Sequence, residues 1–235
     1  MAVLGLIALL GALAFPAERS VLIALGGTGL FTATVTRFLT TERFVSADIG
    51  EKVYEALVST HESTIAELGL QNVWIYVPSS GERGVRLFVP QHTEYVVPSD
   101  TDVNSTFVVT DDSRHRGMTF EPTGRRLLTE LETTITGEPS TDPTILAEQI
   151  TDGIVEDFEL ARGATPEVDP AAGRATIAIV DSAYGSVDQF DHPIASLFAV
   201  TFATILNEPV TLETYDAEGS SEQFIKCSWD ESALD

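Results

Sequence analysis

One cysteine and two lysines are all that this 235-residue chain has of those residue types. The lone thiol, Cys227, excludes a disulfide within the chain and any cysteine-rich zinc site. A free cysteine of this kind is expected as a small buried apolar side chain rather than a nucleophile. With only Lys52 and Lys226, phosphate handling and Schiff-base chemistry are poorly supplied. No G-x-x-x-x-G-K-[ST], G-x-S-x-G or H-E-x-x-H signature occurs. The four histidines (His61, His92, His115, His192) are scattered, and no two stand at metal-ligand spacing. The expectation is therefore no metal and no cofactor.

Positive charge is scarce as well. Thirteen basic residues face 36 acidic ones, for a net charge of −23. A polyanion repels phosphates, so nucleic acid is excluded as a default partner. Disorder is excluded too, because 43% of the residues are hydrophobic. A carboxylate-rich, lysine-poor surface suits molar salt, where a Debye length of about 3 Å screens its self-repulsion. The composition thus reads as that of a halophilic protein.

The charge is unevenly placed. Residues 1–45 hold only the acids Glu18 and Glu42 and the bases Arg19, Arg37 and Arg43, so the acidity belongs to the remainder. Met1–Phe15 has no polar side chain, a turn follows at Pro16–Ser20, and Val21–Leu39 is uncharged until Arg37. A spanning helix needs about 20 apolar residues. The second run reaches that length. The first falls short, and a thinned bilayer or residues upstream of Met1 would make up the difference. No base precedes Arg19, which argues against a signal peptide. The pattern predicts a transmembrane helical hairpin over 1–40, its helices brought close by Gly5, Gly11, Ala12, Ala24, Gly27 and Thr28. More bases stand at and after the end of the second run (Arg37, Arg43, Lys52) than occupy the turn (Arg19). The positive-inside rule then places an acidic domain, 41–235, in the cytoplasm.

Val21–Thr32 (VLIALGGTGLFT) also resembles the glycine turn of extended short-chain dinucleotide-binding dehydrogenases. The fingerprint's last glycine is replaced by Thr32, and no acid-terminated second strand follows at the proper distance. Neither lysine has a tyrosine four residues before it. The dinucleotide reading is set aside.

Beyond residue 45 the spacing predicts a helix over 49–68 and a strand hairpin at 73–77 and 85–89. A short strand at Tyr95–Val97 and strands at 106–110 and 118–120 are expected next. Helices follow over 122–134 and 144–162, then a Pro/Gly-rich turn over 163–173 that can include a short strand near Val168, and a strand over 174–182. A helix over 193–206 and a hairpin at 210–215 and 223–229 complete the chain. The order helix–strand–strand recurs three times (49–89, 144–182, 193–229). This points to an α+β fold with a mixed or antiparallel sheet built from helix–strand–strand units. A cleft between such units is a common ligand location.

The richest polar stretch is Asp181–Pro193. A ligand site drawn from it would use Tyr184, Asp188, Asp191 and His192. An enzyme of unknown reaction would use Asp188, Asp191 and His192, with His92 and Glu94 joining from a distance. The competing reading is structural: an Asp or His before Pro193 caps the helix that follows. Capping is preferred, and no catalytic residue is assigned. Arg114-His115-Arg116 is the one dense basic spot, expected to pair with Asp111 and Asp112. The sequon at Asn104 is treated as chance.

PAERSVLIALGGTGLF, ERFVSADIGEKVYEAL, RLFVPQH, FVVTDD and YGSVDQFDHPIASLFAV together resemble an uncharacterised group of haloarchaeal membrane proteins. These have two N-terminal membrane helices and one acidic domain of unknown function. The resemblance implies a fold and a membrane location, and no activity. The tail, helix 193–206 followed by VTLETYD and QFIKCSW, is similar in layout to vinyl-reductase-type ligand-binding domains, which implies small-molecule sensing. The expectation is thus a halophile's membrane-anchored cytosolic binding, sensory or scaffold domain. Residues 1–40 would meet the lipid bilayer, and a small-molecule ligand or partner protein would meet the domain. A purely structural membrane protein is the further alternative.

Overall fold

The computed structural model describes residues 2–39, 47–80, 84–134, 139–216 and 222–230. The chain divides into two compact units, Met1–Ser46 and Ala47–Asp235.

The first unit is a pair of helices, α1 (Ala2–Ala14) and α2 (Arg19–Leu39), joined by a short turn at Pro16–Glu18. Pro16 cannot continue α1 and instead opens that turn. The helices approach until backbone meets backbone. A Cβ on Gly5 would stand 3.0 Å from the Gly26 carbonyl oxygen, and one on Gly26 would stand 2.5 Å from Leu9 Cγ. Ala8 and Ala12 fill the rest of the seam, while Val3, Leu6, Leu10, Leu13 and Phe31 point outward.

The expected transmembrane hairpin is overturned. No described helix is both long and apolar enough to cross a membrane. With 13 residues, α1 is about 20 Å long at 1.5 Å per residue, against a hydrocarbon core of about 30 Å. With 21 residues α2 has the length, but it opens on Arg19 and is diluted by Gly26-Gly27-Thr28-Gly29 and by Thr32, Thr34 and Thr36. VLIALGGTGLFT is continuous helix, not a strand and a glycine turn, so the geometry of a dinucleotide loop is missing.

The second unit is α+β. Its eight-stranded sheet, among the described residues, runs β3 (Phe107–Val108), β4 (Gly117–Phe120), β2 (Val85–Pro90), β1 (Trp74–Pro78), β7 (Val210–Asp216), β8 (Glu222–Ser228), β6 (Arg174–Ser182) and β5 (Ala161–Asp169). Every pairing is antiparallel. Helices α3 (Ala47–Leu68), α4 (Gly124–Thr134), α5 (Pro143–Asp152) and α6 (Pro193–Leu206) complete the unit. The three helix–strand–strand units are α3-β1-β2, α5-β5-β6 and α6-β7-β8. Their hairpins join edge to edge through β1–β7 and β8–β6, so they build one sheet instead of flanking a cleft.

Alternation decides the two faces of the sheet. Tyr76, Leu87, Leu212, Ile225, Ile177 and Ile179 point to the main core, where they meet Phe198 and Phe202 of α6. Helix α6 is apolar nearly all round and is buried along most of its length, as such a helix must be in a core. Behind β1 and β2, Ile75, Val77 and Phe88 form a second cluster with Val103 and Val108, flanked by Tyr95 and Val97. Tyr95–Val97 is not a strand; it covers this cluster as a loop. Helix α5 stops earlier than its spacing predicts. It runs into a π turn at Gly153–Asp157, where Gly153 lies against the Leu131 side chain, and β5 begins at Ala161.

Candidate functional site

The polar stretch between β6 and α6 is held by local backbone chemistry. Asp181 and Asp191 adopt left-handed φ angles of 50° and 51°, and Gly185 has 78°. Asx residues and glycine tolerate that region best. These three bends carry the chain from the sheet edge over to the start of α6.

At that start His192 is the N-cap. Its Nδ1 accepts the Ile194 N–H at 3.3 Å. A ring nitrogen that accepts carries no proton, so the neutral ring bears its hydrogen on Nε2. Nε2 lies 3.1 Å from Ser182 Oγ and therefore donates to it. The Ser182 hydroxyl oxygen also accepts the Tyr184 N–H at 3.2 Å. A histidine in this tautomer cannot take the serine's proton, so the contact is not an activated nucleophile. Burial pushes the His192 pKa down to about 4, which fixes the ring as neutral.

Asp191 is buried and well supplied with donors. Tyr76 Oη donates to Oδ1 at 3.0 Å and the Thr123 N–H to Oδ2 at 2.7 Å. The Thr123 hydroxyl donates to the Asp191 carbonyl at 2.7 Å, and Ser196 also hydrogen-bonds the carboxyl group. Burial outweighs these donors and raises the pKa to about 6. One carboxyl thus ties β1, the turn before α4, and α6 together. The tie is tight at Gly124, whose N–H donates to Ser196 Oγ at 2.9 Å. A Cβ there would run into the Ser196 backbone.

An aromatic cluster surrounds this tie. Phe190 packs edge-on against Trp74, His61 and Phe120, with ring centroids 5.0 to 5.8 Å apart. Tyr54 of α3 donates to the Phe190 carbonyl at 3.0 Å and meets Tyr184 and His192 edge-on. Tyr184 fits because Gly50 of α3 leaves room: a Cβ there would stand 3.0 Å from its Oη. Burial lowers the His61 pKa, so that ring too favours its neutral form.

Of the four residues singled out by sequence, Tyr184, Asp191 and His192 pack in one neighbourhood, and Asp188 stands exposed at its rim, near enough for its charge to act on His192 and Tyr54. His92 and Glu94 are exposed in the loop after β2. Among the described residues no group of three or more His, Cys, Asp and Glu could hold a metal ion. Arg114 pairs with Asp112 through Nε at 3.2 Å and a terminal nitrogen at 2.7 Å. Cys227 is buried, and burial raises its thiol pKa. Sequence reasoning missed Tyr76 and Thr123, which lie 115 and 68 residues from Asp191. The signal that did exist was an Asp directly before a His-Pro helix start.

Four surface grooves, of about 140 to 400 Å³, open elsewhere on this unit. None is lined by Tyr184, Asp188, Asp191 or His192. The cluster is a filled junction, its donors and acceptors spent on one another. No curated protein and no solved structure matches the chain. One family does match, across residues 1–229, and the chain belongs to it: the Domain of unknown function (DUF7982).

Proposed function

We propose that this protein is a binding or scaffold domain of a halophile, held at the cytoplasmic face of a bilayer by its apolar hairpin. The hairpin enters the apolar layer from one side and does not cross it. The observation that carries this reading is the inverted packing of the first unit. Its small residues face inward, while Leu10 is 59% and Phe31 71% exposed. A helix that is apolar all round belongs in a core or in lipid. An exposed apolar surface of this extent on one small unit marks an interaction site. Arg37, Arg43 and Lys52 after the hairpin favour the cytoplasmic leaflet. Binding is favoured over catalysis because Asp191 and His192 spend their side chains on Tyr76, Thr123, Ser182 and the Ile194 N–H. The net charge of −23 supports the halophilic part of the reading.

The test is flotation of the full chain with phosphatidylcholine vesicles in molar salt, without detergent. The protein is expected to rise with the vesicles, and the double variant Leu6→Glu/Leu10→Glu to lose at least about tenfold of the floated fraction. Wild-type protein left behind as a monomer or closed oligomer would refute the lipid reading.

A further inference from the structure

We propose that the outer face of β5–β6–β8–β7 carries a binding slot for a neutral saccharide, independent of where the hairpin sits.

The slot follows from register. With Ile177, Ile179 and Ile225 turned to the core, the intervening residues face outward and line up across the strands. One row reads Glu213–Lys226–Thr176–Glu167, and the next reads Tyr215–Phe224–Ala178–Thr165. A third begins the slot with Arg174 opposite Asp169. Small residues on β6 (Thr176, Ala178) thus form a floor between a tall aromatic side and a carboxylate side. The space above that floor is about 360 Å³, room for a sugar residue.

The walls have the two surfaces that sugars require. Tyr215 and Phe224 stack face to face with centroids 5.1 Å apart and planes only 8° from parallel, so the pair forms an apolar wall that offers one outer ring face and the ring edges to the C–H face of a pyranose. Tyr215 is 47% exposed, so that wall is open to a ligand. Charged groups already organised in pairs flank it, one pair beside the rings on β7 and β8 and the other across the floor on β5 and β6. Lys226 Nζ lies 2.6 Å from Glu213 Oε2, and an Arg174 terminal nitrogen lies 3.6 Å from Asp169 Oδ2. Such pairs offer adjacent donors and acceptors to vicinal hydroxyls, each side chain partly fixed in advance.

Charge selects among ligand classes. With Lys226 and Arg174 each beside a carboxylate, and Glu167 added, the slot lies within one charge of neutral. An anionic ligand gains no net attraction there and meets the repulsion of the whole chain at −23. A cation finds no excess of carboxylates over what the rest of the surface offers. A neutral polyol loses nothing to either effect.

The test titrates the full-length protein in molar salt with maltohexaose, cellohexaose and mannohexaose, and with polygalacturonate as the acidic counterpart. It is read by calorimetry and saturation-transfer NMR. At least one neutral oligosaccharide is expected to bind in the millimolar range or tighter, with polygalacturonate weaker. Tyr215→Ala removes half the wall, and Thr176→Trp fills the floor. Each is expected to weaken binding at least about tenfold with circular dichroism and melting midpoint unchanged. Should Tyr215→Ala unfold, Thr176→Trp decides alone, since it adds an outward side chain on an open face. No binding by any neutral oligosaccharide, equal binding by Thr176→Trp, or stronger binding of polygalacturonate each overturns the proposal.

Discussion

The two units of this chain place small and large residues in opposite positions. In Met1–Ser46 the seam is made of Gly5, Ala8, Ala12 and Gly26, and the large aliphatic side chains face outward. In Ala47–Asp235 the large side chains are inside, with Phe88, Phe198, Phe202 and Tyr76 among the most deeply buried. Both arrangements come from helices and strands rich in the same residue types. The difference lies in where the small residues fall. Spaced three or four apart on one face, they let two helices close through backbone contact and leave nothing large to bury between them. The carboxylates follow the same division: residues 1–45 carry two of the 36 acids. A surface with almost no charge and an outward aliphatic shell fits the apolar surrounding proposed for it, and the acidic unit fits the proposed salt.

The sharpest way to break this comparison is to make similar truncations in both units. Phe198→Ala removes a fully buried ring in α6, and should cost about 3–5 kcal/mol of the second unit's stability. Leu10→Ala removes an outward side chain of α1, and should change the same unfolding midpoint by less than about 0.5 kcal/mol. Its effect should instead show in vesicle flotation. Denaturation of the full chain in urea, followed by tryptophan fluorescence, measures both, because Trp74 and Trp229 are buried in the second unit. A Leu10→Ala cost as large as that of Phe198→Ala would remove the distinction between the units.

A smaller effect concerns the polar junction, which has no counterpart in the first unit. Asp191 is raised to about 6, so the fold favours its protonated form. Its contribution is most favourable at low pH and falls as pH rises through about 6. His192 is lowered to about 4, so the fold favours its neutral form. Its contribution is present above the ordinary imidazole value and is lost as pH falls toward about 4. The two slopes oppose each other over about pH 4–6 and nearly cancel. Asp191→Asn keeps the size of the side chain and a carbonyl oxygen for the Thr123 N–H, while its NH2 requires the Tyr76 hydroxyl to accept instead of donate; with the buried charge gone as well, it should stay within about 1 kcal/mol of wild type at pH 7. Relative to wild type, it should lose about 3 kcal/mol between pH 6.5 and 4, as His192 acts unopposed. His192→Asn retains a capping side chain and should show the opposite relative slope. Urea midpoints at four pH values decide the matter; parallel curves for wild type and both variants would mean that neither group is held as described.

Much of the second unit was legible in sequence because its signals are local. His192-Pro193 before an apolar run marks α6, and regular alternation marks β6, β7 and β8. The threefold helix–strand–strand order also reads directly. What was illegible depended on partners far along the chain. ARGATPEVD reads as a helix end and then a turn with at most a short strand near Val168, because it holds Gly163 and Pro166, yet it is β5, a nine-residue strand. It can be one because it lies at the sheet edge and pairs only with β6, where a missing N–H is tolerated. The end of α5 was misplaced because the contact of Gly153 with Leu131 is tertiary. In the first unit, hydropathy showed how apolar the runs are. It also showed the first run falling short before Pro16; what was misjudged is the second helix, which opens on Arg19 and is diluted by Gly26–Gly29 and by threonines. For the candidate site, three of the four residues gather in one place, but what they touch (Tyr76, Thr123, Ser182) makes them a junction and not a pocket.

The smallest expected effect separates the two kinds of polar pairing within the acidic unit. Asp191 sits out of water, and burial decides its ionisation against the pull of its donors. Asp112 and Arg114 lie in solvent, with side-chain exposures of 39% and 59%, although their geometry, with Nε and a terminal nitrogen both engaged, is better than that of most surface pairs. Good geometry does not rescue an exposed pair, because water competes for each hydrogen bond and salt screens what remains. Arg114→Gln should therefore leave the urea midpoint at the wild-type value in molar salt, and lower it only marginally in dilute buffer. The loss stays marginal because Asp112 also accepts the Arg114 backbone N–H at 3.0 Å, a contact that the glutamine variant keeps. A clear drop in molar salt would show that Arg114 contributes through its aliphatic stem rather than its charge, and Arg114→Met would then restore the midpoint.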